Sequence, residues 1–341
     1  MMTKLTKPLF RWESALVVFL IIEIIFFSAM NPDFLNFTNL IFSMNDYVYI
    51  GLAAIPMTYV IITGGIDVSV GSTIGLTSIT IGVLWMSGID MWLAVLLALV
   101  ISACAGAVNG VIIANSNVQP LVVTLGSMFL FSGIALVISG GSSASGYEGI
   151  SGFPESFVQL ANGDTFGLPN PILFFLFFMI IFAAILHLTR FGRQVFLIGI
   201  NIKAARFSGI RTKSILVWSY VLAGLGGGIS GVILTSYFGS ARSDLGTEAV
   251  LPVITAVVLG GTSITGGKGS VVGTGIASIV IGMMQYGLQM MSMTNQETSV
   301  VIGFLLIIAV LLRLTNWSNI QLFFKKLNNK KALNKESSKG V

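Results

Sequence analysis

Apolar stretches of about 20 residues recur along almost the whole chain, separated by short polar gaps. A stretch of that length is what a helix needs to cross the hydrocarbon core of a membrane. Charged residues make up only 9% of the 341 residues, too few to cover a water-soluble fold of this size. The sequence therefore predicts an all-α polytopic membrane protein with a single transmembrane domain over residues 12–313.

Apolar length places ten transmembrane helices in this domain, with both termini on the same side. The eighth predicted segment is short and reaches Gly260 and Gly261, so a re-entrant or broken segment remains open as an alternative to a full span. The predicted segments are residues 12–30, 47–63, 69–87, 92–114, 119–139, 170–188, 215–237, 249–262, 270–289 and 298–312.

The basic residues test this helix count, because cytoplasmic loops carry an excess of Lys and Arg. With residues 1–11 taken as a cytoplasmic N-terminus, only Arg242 of the 18 basic residues falls outside. The acidic residues gather mainly on the outer side, and residues 314–341 form a basic cytoplasmic tail. The net charge of +5 follows from this topology, so no nucleic-acid partner is predicted. Membrane lipid is a predicted partner.

The chain shows no pattern typical of a catalytic or metal site. Cys104 is the only cysteine and His187 the only histidine, which excludes an internal disulfide and a thiolate metal cluster. No Gly-rich loop followed by Lys and Ser/Thr occurs, so the chain cannot bind ATP through a P-loop. The sequence predicts a protein that is not an enzyme, with no cofactor and no metal, and any ATP hydrolysis must come from another subunit.

The inner loop, residues 189–214, is longer than the roughly 2–8 residues that connect two helices. It is basic, and a short helical pattern covers residues 202–207. One interpretation is a connector that lies on anionic lipid heads. The other is a short helix that docks into a soluble partner, with Ala204, Ala205 and Gly209 allowing close backbone approach.

The outer loop, residues 140–170, begins with Gly and Ser and continues with aromatic and acidic residues. A second outer segment, around residues 236–246, carries a charged pair. We expect a partner outside the membrane to dock on these two segments. The candidate docking residues are Tyr147, Glu148, Phe153, Arg242 and Asp244.

Three amides lie deep or nearly deep in the predicted helices, and they are Asn109, Gln285 and Gln289. The two glutamines are four residues apart and therefore share one helix face. A small hydroxylated solute needs side chains that exchange hydrogen bonds with it, so these amides are candidates for the translocation path. Interhelical hydrogen bonding that holds the bundle together remains the alternative for each of them.

Three stretches make the chain resemble the sugar-type permease family of ABC importers, which includes ribose and arabinose permeases. They are TGGIDVSVGS (63–72), GINIKAARFSGI (199–210) and AVVLGGTSITGGKGSVVGT (256–274). They follow the order expected in the family and span most of the chain. The resemblance implies an ABC importer permease fold, in which the inner loop is the coupling segment that receives the push of the ATPase. The coupling residues are then Gly199, Asn201, Ala204, Ala205, Arg206, Ser208 and Gly209.

Three further stretches are similar to the permease subunits of autoinducer-2 importers, namely GYEGISGFPESF (146–157), SYFGSARSDLG (236–246) and GLQM (287–290). This resemblance implies import of autoinducer-2 through the bacterial plasma (inner) membrane, with both termini cytoplasmic. The implied partners are two ATP-binding subunits, a second homologous permease that completes a heterodimer, and an extracytoplasmic solute-binding protein. A permease for ribose or another pentose or hexose is the close alternative, and a stand-alone secondary carrier is the other.

Overall fold

The computed structural model describes residues 12–140 and 149–314 of the chain. Over those ranges the chain is mostly helical, and two short strands form an antiparallel hairpin, β1 (Asp164–Thr165) with β2 (Leu168–Pro169). A 3-10 turn, Pro32–Leu35, follows the first helix. The described helices are α1 (Trp12–Met30), α2 (Phe37–Met44), α3 (Val48–Ile62), α4 (Val70–Met86), α5 (Met91–Asn115), α6 (Pro120–Ile138), α7 (Glu155–Asn162), α8 (Asn170–Leu188), α9 (Arg190–Ile200), α10 (Ile202–Phe207), α11 (Thr212–Phe238), α12 (Val250–Leu259), α13 (Val271–Met290) and α14 (Asn295–Leu314).

Six of the described helices are long and apolar enough to cross a membrane, namely α1, α5, α6, α8, α11 and α13. Four shorter apolar helices, α3, α4, α12 and α14, occupy the other predicted positions. The prediction of a helical membrane protein is therefore confirmed. The count of ten spans is not, because only six helices reach the required length and apolarity.

The eighth predicted segment, residues 249–262, contains a half-length helix. With ten residues, α12 is about 15 Å long, roughly half the thickness of a hydrocarbon core. The chain then turns at Gly261, whose φ of +99° is a conformation that side chains with a Cβ rarely adopt. A loop follows until Ser270 caps the start of α13. The structure thus agrees with a broken segment at this position.

Helix α3 lies at the centre of the molecule. All of its residues from Val48 to Ile62 are buried except Tyr49, which is half-buried. A helix that is apolar on every side is stable only when other elements surround it. Helices α8, α11, α12 and α13 all pack against α3, so this short helix is enclosed by protein rather than by lipid.

Helices α5 and α11 approach so closely that glycine is required at their contact. A Cβ atom on Gly224 would overlap the carbonyl oxygen of Ser102, and one on Gly106 would overlap the carbonyl oxygen of Tyr220. Small residues that bring helix backbones together are a recurrent means of association in membranes. The glycines of α11 therefore hold the longest described helix against the core.

The two ends of the helix bundle carry opposite charge. We call the end that bears α9, α10 and the α12–α13 loop the basic end, and the opposite end, with the α2–α3 turn and α7, the acidic end. Among the residues whose side chains the structure describes, seven basic residues lie at the basic end and Arg242 alone lies at the acidic end. The seven are Arg190, Arg193, Lys203, Arg206, Arg211, Lys213 and Lys268.

The α5–α11 contact predicts a difference between two glycine substitutions. We expect Gly224→Ala to destabilise the protein by about 1–3 kcal/mol, because the added methyl group meets backbone that cannot rotate away. Gly126 on α6 has open space around it, so Gly126→Ala is the matched control and should keep or raise stability. Thermal unfolding in detergent, followed by size-exclusion chromatography, measures both. Equal unfolding temperatures for the two variants would contradict the close contact.

Candidate functional site

An open cavity of about 600 Å³ lies among the helix ends of the acidic end. Its walls come from the α2–α3 turn, the end of α11, the segment before α12, the second half of α13 and the start of α14. Pockets of this size hold small ligands. The polar residues of the wall are Asp46, Tyr47, Tyr49, Tyr237, Arg242, Asp244, Thr247, Glu248, Gln285, Gln289 and Asn295.

The cavity unites residues that the sequence assigned to two different roles. Gln285 and Gln289, predicted for the translocation path, share it with Arg242 and Asp244, predicted for docking. The guanidinium of Arg242 donates from Nε to Oδ1 of Asp244 at 2.9 Å and from Nη2 to Oδ2 at 2.5 Å. A bidentate pair of this kind has a fixed geometry. The pair lies in the cavity wall, and its docking role stays a prediction.

A hydrogen bond between two elements forms one side of the cavity. The hydroxyl of Tyr237, at the end of α11, donates to Oδ1 of Asp46 in the α2–α3 turn. Burial raises the pKa of Asp46 above its ordinary value, and the hydrogen bond from Tyr237 partly opposes that rise. Sequence reasoning missed this pair, because the two residues are 191 positions apart and Asp46 lies in none of the stretches that carry the family resemblance.

One acceptor in the cavity wall has no partner within the described part of the chain. The Oε1 atom of Gln285 is buried and makes no hydrogen bond there, whereas Nε2 of Gln289 lies 3.4 Å from Oδ1 of Asn295. A buried acceptor without a partner costs free energy, and a solute hydroxyl would recover that cost once the side chain turned its carbonyl into the cavity, since Oε1 has almost no accessible surface in this conformation.

The charges of the wall indicate which solutes fit. Three carboxyl groups, those of Asp46, Asp244 and Glu248, and one guanidinium, that of Arg242, line the cavity. Carboxylates and amide carbonyls accept hydrogen bonds from hydroxyl groups, while an excess of negative charge repels anions. The cavity therefore disfavours an anion and offers acceptors to a solute rich in hydroxyl groups.

Asn109 does not line this cavity, because three helices enclose its side chain. Its Nδ2 donates to Oγ of Ser69 at 2.9 Å, and its Oδ1 accepts from Oγ of Ser127 at 2.5 Å. Ser69 in turn donates to Oδ1 of Asp67 at 2.6 Å. This buried network ties the start of α4 to α5 and α6. The predicted path role of Asn109 is thus replaced by the alternative, an interhelical hydrogen bond.

The coupling residues of the inner loop form and end helix α10. Asn201 caps the helix, since its Oδ1 accepts from the backbone N–H groups of Lys203 and Ala204 at 3.0 Å each. Ser208 donates to the carbonyl of Ala204 at 3.0 Å, and Gly209 follows with a φ of +80°. These residues therefore fix the shape of the segment.

Ala205 differs from the prediction. The sequence suggested that it lets a partner approach, but its side chain is buried in the apolar cluster that includes Val195, Ile198 and Ile215. It anchors α10 to its own chain. Ala204 and Arg206, by contrast, are exposed.

Gly199 lies where the three stretches that carry the family resemblance meet. A Cβ atom at Gly199 would overlap the carbonyl oxygen of Ile62, at the end of α3, and the backbone nitrogen of Gly267, in the α12–α13 loop. The N–H of Gly267 donates to the same carbonyl of Ile62 at 2.8 Å. Backbone from α3, α9 and the α12–α13 loop is thus in direct contact, which we call the basic-end junction.

Large apolar side chains stand exposed beside this junction. Phe207 is 92% exposed, Ile200 69% and Leu197 49%. They lie among the exposed basic residues Lys203 and Arg206. Exposed apolar groups bordered by polar ones are typical of a protein-binding surface, and the sequence pattern did not single out Phe207.

The outer-loop predictions fall partly outside the structure. Tyr147 and Glu148 lie outside the described residues. Phe153 is half-buried and packs edge-on against Phe157 with ring centroids 5.3 Å apart, so much of its surface is used within the chain. The most exposed aromatic residue of this region is instead Phe166, at the tip of the hairpin, which is 98% exposed.

The helical bundle, the polar cavity and the basic-end junction define a membrane transport subunit. The family model described as "Branched-chain amino acid transport system / permease component" matches residues 39–311, and the chain belongs to this permease family. The prediction of an ABC importer permease is thereby confirmed.

Several curated relatives are similar over most of the chain. "Autoinducer 2 import system permease protein LsrD" of Escherichia coli (strain K12) is 49% identical over 301 residues, covering 88% of this chain and 91% of the relative. The proteins of the same name from Shigella flexneri and Escherichia coli O157:H7 are 49% and 48% identical with the same coverage. No solved structure matches this chain.

The buried network around Asn109 and the open cavity around Gln289 predict that removing the amide lowers stability at Asn109 but not at Gln289. We expect Asn109→Ala to lower the free energy of unfolding by about 1–3 kcal/mol, because the Ser127 hydroxyl loses the acceptor shown for it and Ser69 keeps only its bond to Asp67. Gln289→Ala, at the cavity wall, should leave stability within about 0.5 kcal/mol of the parent. Thermal unfolding in detergent measures both, and a stable Asn109→Ala variant would contradict the structural role of the network.

Proposed function

We propose that this permease moves autoinducer-2, a small polyhydroxylated solute, across the bacterial plasma (inner) membrane with energy from a separate ATPase. The observation that carries the proposal is the cavity at the acidic end, with its unpartnered Gln285 carbonyl and its excess of carboxyl groups. The similarity to relatives named for autoinducer 2 import supports the choice of solute.

The orientation follows from charge. Because cytoplasmic loops are rich in Lys and Arg, we assign the basic end to the cytoplasm and the acidic end to the outside. Both termini are then cytoplasmic, since α1 begins with Trp12 beside the end of α12 and α14 runs from the acidic end to the basic end. The cavity then faces the side from which solute arrives.

The helices that line the cavity also reach the basic-end junction, which suggests how ATP hydrolysis drives transport. Helix α3 begins beside Asp46 in the cavity wall and ends at Ile62 in the junction. The segment before α12 and the second half of α13 line the cavity, while the α12–α13 loop lies in the junction. A push on α9 and α10 therefore acts on both walls of the cavity, as alternating access requires.

The complete importer contains other chains. We infer a heterodimer with a second homologous permease, two ATP-binding subunits at the basic end, and an extracytoplasmic solute-binding protein at the acidic end. Lipid covers the apolar outer faces of helices such as α1, α6 and α8, whose side chains are largely exposed. The cavity chemistry also suits ribose or another pentose or hexose, which makes a sugar the competing solute.

Uptake by the reconstituted importer tests the solute. The four kinds of subunit, including the solute-binding protein of the host, are placed in proteoliposomes or added to them. We expect ATP-dependent uptake of autoinducer-2 in preference to ribose, and about a tenfold reduction by Gln285→Leu because a solute hydrogen bond is lost. Preference for ribose would assign the sugar function. Uptake by this chain without the ATPase would make it a stand-alone carrier.

The exposed apolar surface at the basic end predicts where the ATPase binds. We expect Phe207→Ser to reduce co-purification of the ATP-binding subunit at least tenfold, because a large exposed side chain of this kind is a typical anchor. Phe166→Ser, which removes an equally exposed phenylalanine at the opposite end, is the matched control and should retain the ATPase. Equal retention by both variants would place the ATPase contact elsewhere.

A further inference from the structure

Helix α7 lies at the acidic end and packs one face against the bundle. Phe157 and Ala161 are buried, whereas Glu155 and Ser156 are exposed. The buried residues lie four positions apart on one face, as in a helix at the surface of a protein. It is not a membrane span, and the transport chemistry described above assigns it no task.

Hydrogen bonds clamp α7 to the end of α11. The N–H of Ala161 donates to Oγ of Ser236 at 3.0 Å, and that hydroxyl donates to the carbonyl of Phe157 at 2.6 Å. Nδ2 of Asn162 also lies 3.2 Å from the carbonyl oxygen of Tyr237. Helix α7 therefore holds Ser236 and Tyr237 in place. Tyr237 is the residue that donates to Asp46 in the cavity wall.

A second clamp joins α7 to the α2–α3 turn. Nδ2 of Asn45 donates to the carbonyl of Ala161 at 2.7 Å in a buried position. Asn45 precedes Asp46, just as Ser236 precedes Tyr237. Helix α7 thus bridges the two elements that the Asp46–Tyr237 hydrogen bond joins, and a displacement of α7 would act on that bond from both sides.

The β1–β2 hairpin extends this unit into the surroundings. Nδ2 of Asn170 donates to the carbonyl of Gln159 in α7 at 3.0 Å, and Oδ1 of Asn170 accepts from Thr165 in the hairpin at 2.7 Å. Phe166 at the tip is 98% exposed and has a φ of +59°. That conformation is rare for a bulky residue and holds the ring away from the chain.

We propose that α7 and the β1–β2 hairpin form the docking surface for the solute-binding protein, and that docking there acts on the Asp46–Tyr237 bond of the cavity wall. The inference rests on the proposed import function. The partner fitting this surface has an apolar pocket for Phe166, bordered by basic residues that face the exposed carboxylates of Glu155 and Asp164. Those same carboxylates oppose an anionic lipid surface.

Binding of the solute-binding protein that supports uptake tests the surface. The complete importer is held in nanodiscs, and affinity is measured by surface-immobilised binding. We expect Phe166→Ser to weaken binding at least tenfold while basal ATP hydrolysis stays unchanged. The control is Met86→Ser. Met86 is another apolar residue at the acidic end and is 71% exposed, so this variant should bind like the parent.

Labelling of the cavity wall tests the transmission. In a Cys104→Ala background, Thr247→Cys places a thiol in the wall, and its reaction with a membrane-impermeant maleimide is timed. We expect the loaded binding protein to change the labelling rate severalfold. Adding Asn45→Ala should leave binding intact but remove that change, because the clamp to the α2–α3 turn is lost.

The outcomes separate this inference from the proposed function. Failure of the parent importer to bind any form of the solute-binding protein would overturn the import function itself. Normal binding by both the parent and Phe166→Ser would overturn only the docking surface. A labelling change that survives Asn45→Ala would overturn the transmission through α7. Phe166→Ser could instead insert less well into nanodiscs while the inserted importer binds the solute-binding protein normally. That result would identify lipid as the contact of the Phe166 ring and would likewise overturn the docking surface.

Discussion

Direct contact between backbones, made possible by glycine, is the constraint on which the rest of this structure depends. Helix α11 reaches α5 through Gly106 and Gly224, and α9 reaches α3 and the α12–α13 loop through Gly199. Side chains between helices can change rotamer and absorb a displacement, but backbone in contact with backbone cannot. The contact at Gly199 therefore ties the positions of α9, α3 and the α12–α13 loop to one another, which the proposed function requires of a segment that receives force from another subunit.

Hydrogen-bond satisfaction distinguishes two of the amides that the sequence predicted for the translocation path. In hydrocarbon an unpaired polar group is costly, and Asn109 has both ends of its amide paired within a buried network. Gln285 is also buried, yet its carbonyl has no partner in the described part of the chain. Two amides with the same appearance in the sequence thus differ in their hydrogen bonding, because the amide of Asn109 is paired at both ends within the chain and the carbonyl of Gln285 is not.

The sequence alone predicted the helices well and the site only in part. Apolar length places segments such as 170–188 where α8 lies, since the membrane imposes a length that is visible locally. It could not show that Gln285 and Arg242 share a cavity, because that proximity arises from the packing of α11, α12 and α13. The burial of Ala205 could not be predicted either, since a helix of six residues has too few positions for a periodic pattern to show which side is buried.

The two ends of the molecule also explain why an anionic solute does not suit this design. The cavity lies at the acidic end among three carboxyl groups, while the exit side, by the assigned orientation, lies among seven basic residues. An anion would be repelled on entry and retained on exit. The neutral polyol of the proposed function would be held at both ends only through hydrogen bonds, which are exchangeable with water. Its release therefore depends on the movement of the helices rather than on the electrostatic field of the protein.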